Sequence, residues 1–250
     1  PRSAGDRLPA SRPGMALALA DRVDSLVGLI AIGMKPTGSA DPFGLRRAAL
    51  GIVQLLAGHQ VSLSLRELFR EAAETLPVPC SNDALAEALD FLVGRLRVWM
   101  SEQGLRYDVI EAVLAECGHD PHRACQMAQE LSPWLAREDW PAILAAYSRC
   151  VRIVRGQAQT YALDPARFVE PATEKLHAAY LACKAAIPAG GGVNDFLKAF
   201  LAMIEPINLF FDEVLVMAED VALRENRLAL VQHIAALTAG MADFSKLEGF

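Results

Sequence analysis

Arg149, Arg152 and Arg155 recur at three-residue spacing in a stretch with helical periodicity, and no acidic residue lies between them. On a helix they project toward roughly one side. Guanidinium groups grip phosphates and stack on unpaired bases, the two contacts by which RNA loops are held. Three further groups share the residue type. Arg95 and Arg97 stand beside Trp99, with Arg106 beyond; Arg224 is followed by Arg227; Arg46 adjoins Arg47. For any one of these arginines, solvation or pairing with an acid from a neighbouring helix is the simpler expectation. The Arg149 row differs because it lacks local acidic partners, and it reads as functional.

Other chemistries find less support. Cys117, His119, His122 and Cys125 are zinc-ligand types, but their spacing is tighter than paired metal knuckles use. The simpler expectation is a surface turn followed by a half-buried cysteine, so no metal site is expected. No local motif supports a Ser-His-Asp or Cys-His arrangement, and no catalytic residue is expected. Residues 31–51 hold a glycine-rich polar loop that leads into a capped helix start with two arginines one turn in. Such a start offers free N–H groups and a positive dipole end to a phosphate. The Gly-Lys-Ser/Thr order of a phosphate-binding loop is absent, so the physics alone favours a structural loop.

The elements that would position these residues read as helices nearly throughout. Leu17, Ala20, Val23, Leu26, Val27 and Ile30 form one buried stripe, closed by Gly33 and Pro36. Asp41 is expected to cap the next helix, with Pro42 at its first position and Gly58 at its end. Further helices are expected over 65–76, from Ser81 or Asn82 to about Gln103, over 107–116 and over 122–135. Asp139 and Pro141 start another over 143–154. Pro171 starts one that runs to Ile187, Asn194 caps one over 196–204, and Pro206 should kink or break the run. The last two helices are expected over 208–218 and 222–241. No run of alternating β-branched residues has strand length, so β structure should be minor. No repeat of fixed period is present. The polar turn Gly118-His119-Asp120-Pro121 is the best internal boundary. The Gly190–Gly192 stretch looks more like a loop within a bundle.

Composition bounds the function classes. The chain has 250 residues, long enough for one or two domains with a sizeable core. Hydrophobic residues make up 53% and charged residues 22%, which excludes a disordered polymer. No uncharged stretch is long enough for a membrane span. The net charge of −6 has the wrong sign overall for a phosphate binder, so any such contact must come from local arginine clusters. Five widely spaced cysteines suggest no disulfide framework, and a reducing cytoplasm fits best. The opening Pro1-Arg2-Ser3-Ala4-Gly5-Asp6 has no initiator Met and no signal-peptide pattern, which reads as a fragment of something longer.

The run Asp41-Pro42-Phe43-Gly44-Leu45-Arg46-Arg47-Ala48-Ala49-Leu50-Gly51 is more specific. With the Ile32-Gly33 and Pro36-Thr37-Gly38 that precede it, it resembles a signature of the bacterial glycyl-tRNA synthetase β subunit. The similarity extends back through Ala18–Gly28 to Pro1–Asp6. It extends forward through Gly94–Trp99, Tyr107–Ile110 and Ala112–Leu114. Near the end, Phe210-Phe211-Asp212-Glu213-Val214-Leu215-Val216-Met217 and Leu223–Leu228 are similar to the close of the same subunit.

The resemblance implies an all-α fold. Residues 1–120 would be a helical body that includes the end of an HD-like domain, and 121–250 a DALR-like helical-bundle anticodon-binding domain. Asp21 matches the closing helix of that HD-like domain. The single His-Asp pair, His119-Asp120, follows Asp21 and lies in a turn, so a metal-hydrolase reading fails on order; Asp21 and Asp24 are expected on a solvated helix face. The implied function is tRNA binding, positioning tRNA(Gly) through its anticodon arm for glycylation by an α subunit. ATP and Mg would serve the holoenzyme, and no cofactor is expected in this segment. DNA and membranes are not expected partners. Arg46, Arg47, Arg95, Arg97, Arg149, Arg152, Arg155, Arg224 and Arg227 are the candidate RNA contacts. Arg149 matches a basic position of the family, whereas an Asn often stands in the place of Arg152. The alternative is a helical protein-interaction scaffold without RNA contact, which the net charge and the long apolar helix faces support.

Overall fold

A computed structural model describes residues 8–36 and 41–250. The expected Pro1–Asp6 similarity and most of the Pro36-Thr37-Gly38 turn therefore lie outside the described residues. Among the described residues the regular structure is helical and no strand occurs. The fold is all-α, as expected. The chain forms two compact units, Pro1–Ala128 and Gln129–Phe250.

In the first unit, α1 (Arg12–Ala31) packs on α2 (Leu45–Gly58), α3 (Leu65–Thr75) and α4 (Asn82–Glu102). Its apolar stripe delivers Val23, Leu26, Val27 and Ile30 to the core. There they meet Ile52, Val53, Leu55 and Leu56 of α2, Phe69 of α3, and Leu92, Leu96 and Met100 of α4, all buried. Each such side chain contributes roughly 1.5–3 kcal/mol through removal from water. Ser64 and Ser81 cap α3 and α4 by accepting from Glu67 N and Ala84 N. α5 (Tyr107–Cys117) packs on α4. α6 (Pro121–Leu135) follows Asp120, whose carboxylate accepts from Arg123 N at 3.0 Å and from Ser62 Oγ at 2.6 Å.

The start of α2 differs from expectation. Gly44 holds the N-cap position with φ 68°, and Pro42 and Phe43 stay in a turn. Asp41 nevertheless satisfies the helix start across that turn, accepting from Leu45 N at 2.8 Å and Arg46 N at 3.1 Å. A left-handed residue is needed to swing the chain into the helix, and glycine adopts it without a Cβ penalty.

In the second unit, α7 (Trp140–Val154) packs on α10 (Ile204–Glu213) and α11 (Val221–Ala235), while α8 (Pro171–Ala186) packs on α9 (Val193–Phe200), α10 and α11. Tyr147 of α7 sits edge-on to Phe196, Phe200 and Phe244, with ring centroids 5.2–6.0 Å apart. Its hydroxyl donates to the Ala235 carbonyl at 2.7 Å and lies 2.8 Å from Thr238 Oγ1. Gly192, not Asn194, precedes α9. A Cβ at Gly192 would collide with Glu130 Oε2, the atom that accepts from Asn194 N. Asn194 instead uses its side chain to accept from Trp134 Nε1 at 3.1 Å. Pro206 does not break the run where it stands, because it is the third residue of α10 and lacks an N–H that would have no partner there. The interruption falls earlier, in the 3₁₀ turn Leu201–Met203.

Candidate functional site

The candidate arginines differ in how their charge is used. In the first unit, Arg97 is tied to Glu111 of α5, with Nε to Oε1 at 2.5 Å and Nη2 to Oε2 at 3.3 Å. That hydrogen bond raises the Arg97 pKa against the opposing effect of burial. Arg106 makes the same two-pronged contact with Asp108. Arg95 is half-buried on α4, and its Nε has no hydrogen-bond partner among the described residues. Arg47 is exposed, and its guanidinium folds back over Gly44, where an added Cβ would meet Nη2 at 2.8 Å. Arg46 is half-buried beside it. Arg47 also lines a surface recess of about 280 Å³ with Asp21, Arg22, Ser25 and Phe43. Asp21 and Asp24 are exposed on α1.

The second unit holds the Arg149 row. Arg149 projects from α7 onto α10. Its Nη1 donates to Asn208 Oδ1 at 3.1 Å, its Nη2 lies 3.3 Å from Asp212 Oδ1, and its guanidinium carbon lies 4.7 Å over the Phe211 ring. Tertiary packing therefore gives Arg149 an acidic partner that its own helix lacks. Arg152 and Arg155 are both exposed, with guanidinium carbons 5.5 and 5.8 Å from the Phe250 ring centroid. The three arginines thus lie over two phenyl rings on one edge of this unit. Cation–π contacts of this kind hold a guanidinium plane in place at modest energy, roughly 0.5–1 kcal/mol at exposed sites.

Arg224 and Arg227 belong to a different arrangement. Arg224 Nη1 donates to the Ala218 carbonyl at 2.9 Å, which fastens the loop before α11. Arg227 is buried, with 8% of its surface exposed. It donates from Nη1 to the Leu215 carbonyl at 3.0 Å and from Nη2 to the Glu170 carboxylate. The Arg227 guanidinium is thus engaged by acceptors of its own chain, unlike the exposed Arg152 and Arg155. Three residues at the Arg149 site were not singled out from the sequence as site residues: Asn208, Phe211 and Asp212. They stand at i, i+3 and i+4 of α10 and share the face turned to α7, a spacing visible in the sequence once the two helices are known to pack.

The Cys-x-His-x₂-His-x₂-Cys run spans the end of α5 and the first turns of α6. Burial pushes the Cys117 thiol up to about 11 and the Cys125 thiol up to about 12, away from the thiolate a metal needs. No group of three or more His, Cys, Asp or Glu is placed to hold a metal ion among the described residues. At the start of α2 the Asp41 carboxylate occupies two of the N–H groups, those of Leu45 and Arg46. No helix among the described residues is long and apolar enough to cross a membrane.

Residues 1–115 match the family model of the glycyl-tRNA synthetase beta subunit. Over its whole length the chain is 36% identical to the chloroplastic/mitochondrial glycine–tRNA ligase 2 of Arabidopsis thaliana, covering 24% of that protein. It is 39% identical to the glycine–tRNA ligase beta subunit of Desulforudis audaxviator, with 98% of this chain and 36% of that one matched. The beta subunit of Acidobacterium capsulatum is 38% identical, with 99% and 37% matched. The chain thus spans from 24% to 37% of the length of these relatives.

Proposed function

Because the chain belongs to the glycyl-tRNA synthetase β-subunit family, we propose that it is a tRNA-binding segment that positions tRNA(Gly) through the anticodon arm. In this reading residues 121–250 act as the anticodon-binding domain, and residues 1–120 close an HD-like body. Glycylation, with ATP and Mg, takes place on a partner α subunit in the cytoplasm. The contribution of this chain to the rate is then orientation, because a tRNA held in register presents its acceptor end without a further entropic cost.

The observation that carries this reading is the row of Arg149, Arg152 and Arg155, each set over a phenyl ring on the second unit. Exposed guanidinium planes beside aromatic rings suit splayed RNA loops, where phosphates and unstacked bases lie close together. The acidic net charge of the chain requires such a local basic edge. The test is tRNA(Gly) retention across a salt series. Binding should weaken steeply with salt, favour the glycine anticodon over a changed one, and be lost on Arg149→Glu. Retention equal for both anticodons and insensitive to Arg149→Glu refutes the reading.

A second reading, protein docking without RNA contact, draws on exposed apolar side chains. Val169, Leu215, Met217 and Val221 are large apolar residues left exposed in the second unit, Leu215 at 71%. The same salt series separates the two, since an apolar interface holds its affinity as salt rises.

A further inference from the structure

The donor and acceptor at the Arg149 site are set side by side. Asn208, Phe211 and Asp212 share one face of α10, and all three meet the Arg149 guanidinium. Asn208 and the Phe211 ring fix its plane. Of its five N–H groups, the described contacts engage two groups on Nη1 and Nη2. The side chains of Arg149 and Asp212 are 39% and 69% exposed, so both polar ends reach solvent. An ion pair this open is weak and opens easily to a ligand that satisfies both partners.

This edge offers N–H donors next to a carboxylate acceptor 3.3 Å away. Cytosine presents the complementary set: the N4 amino group donates, while N3 and O2 accept. Uracil reverses the first two positions, with O4 an acceptor and N3–H a donor. Glycine codons begin with two guanines, so the second and third anticodon bases of tRNA(Gly) are both cytosine.

We propose that Arg149 and Asp212 read the Watson–Crick edge of one anticodon cytosine, Asp212 accepting from N4 and Arg149 donating to N3 and O2. Asn208 and Phe211 are positioning residues that hold the guanidinium plane. Arg152, one turn further along α7, and Arg155, at its C-cap, take the flanking phosphates. The inference rests on the anticodon reading above and makes it specific to one base. Asp212 opposes uracil O4 with a second acceptor and Arg149 opposes uracil N3–H with a second donor, so both residues separate C from U.

The test uses the full-length ligase and three tRNA(Gly) transcripts: unaltered, C to U at the second anticodon position, and C to U at the third. Affinity and kcat/KM are measured for the native protein, Asp212→Asn and Arg149→Gln. The native protein should prefer C over U roughly tenfold to a hundredfold at both positions. Asp212→Asn should collapse that ratio to within a few-fold at one position and leave the other intact, because a carboxamide can donate to O4. Arg149→Gln should weaken the unaltered transcript and lower the ratio at the same position. Asp212 is exposed, so the variant folds; an unchanged melting temperature confirms it. If Asp212→Asn and Arg149→Gln both keep the native C/U ratio at both positions, the pair is only a staple between α7 and α10 and the inference is overturned. If the native protein itself shows no preference for C, the anticodon reading fails, and this inference fails with it.

Discussion

Arg227 and Glu170 form a largely buried ion pair, with side chains 9% and 27% exposed, beneath the loop that joins α10 to α11. The same guanidinium holds the Leu215 carbonyl, so one side chain fixes both the start of α8 and the path of the loop.

Removing one partner strands the other away from water. Glu170→Ala should lower the unfolding free energy by roughly 3–5 kcal/mol. Arg227→Met, which keeps the aliphatic volume, should cost a similar amount because the Leu215 carbonyl and Glu170 lose their donor. Urea unfolding curves give the values. If either variant changes the midpoint by no more than an exposed-surface substitution does, the pair is not structural.

Arg152 and Arg155 lie exposed over Phe250. If each neutralises one RNA phosphate, Arg152→Ala and Arg155→Ala should each reduce the slope of log K against log salt by about 0.7. Arg227→Met, measured on folded protein, should leave that slope unchanged. Equal slopes for native protein and both surface variants would place the phosphates elsewhere.

Tyr147 couples packing to hydrogen bonding in the second unit. Tyr147→Phe preserves the ring contacts with Phe196, Phe200 and Phe244 but leaves the Ala235 carbonyl and Thr238 hydroxyl without this partner. The expected loss is about 1–3 kcal/mol, read by thermal unfolding. A neutral outcome would mean that these groups find other partners.

The buried thiols make stability fall at alkaline pH. Desolvation is the leading cause of the rise in each, pushing Cys125 and Cys150 up to about 12 and Cys117 and Cys183 up to about 11 from an ordinary 9.0. Above pH 9 the unfolded chain releases protons that the folded chain keeps, so stability is lost as pH rises through 9 toward 11 and 12. Denaturation midpoints at pH 8, 9.5 and 10.5 should decline in order. Cys150→Ala should flatten the decline; an unchanged slope in that variant would assign it to other groups.

His119 acts at the other end of the range. Burial lowers its pKa first, with Arg66 adding to the effect. Below about pH 6.5 the unfolded chain takes up a proton that the folded chain resists, so this contribution to stability is lost as pH falls. His119→Gln should reduce the acid-side slope between pH 7 and 5. The same slope in the variant and the native protein would exclude His119 as its source.

The helices were legible because their signals are local. The three- and four-residue recurrence from Val23 to Ile30, the serines that cap α3 and α4, and Pro171 at the start of α8 each act within one or two turns. The start of α2 was misplaced because Asp41 caps it from across a turn and a left-handed Gly44 stands between. The run 41–51 also carried the family resemblance, since an ordered string of residue types survives without knowledge of their contacts.

The sequence by itself determined that the chain is helical and where arginines gather. Only the tertiary structure decided what each arginine meets. Asp212 lies 63 residues from Arg149, and Glu170 lies 57 from Arg227, so neither pair leaves a trace in local spacing. Side-chain charge is a property of the residue, whereas burial and pairing belong to the packing of distant helices. That packing turned Arg227 inward as structure and left Arg149, Arg152 and Arg155 along an open edge over Phe211 and Phe250.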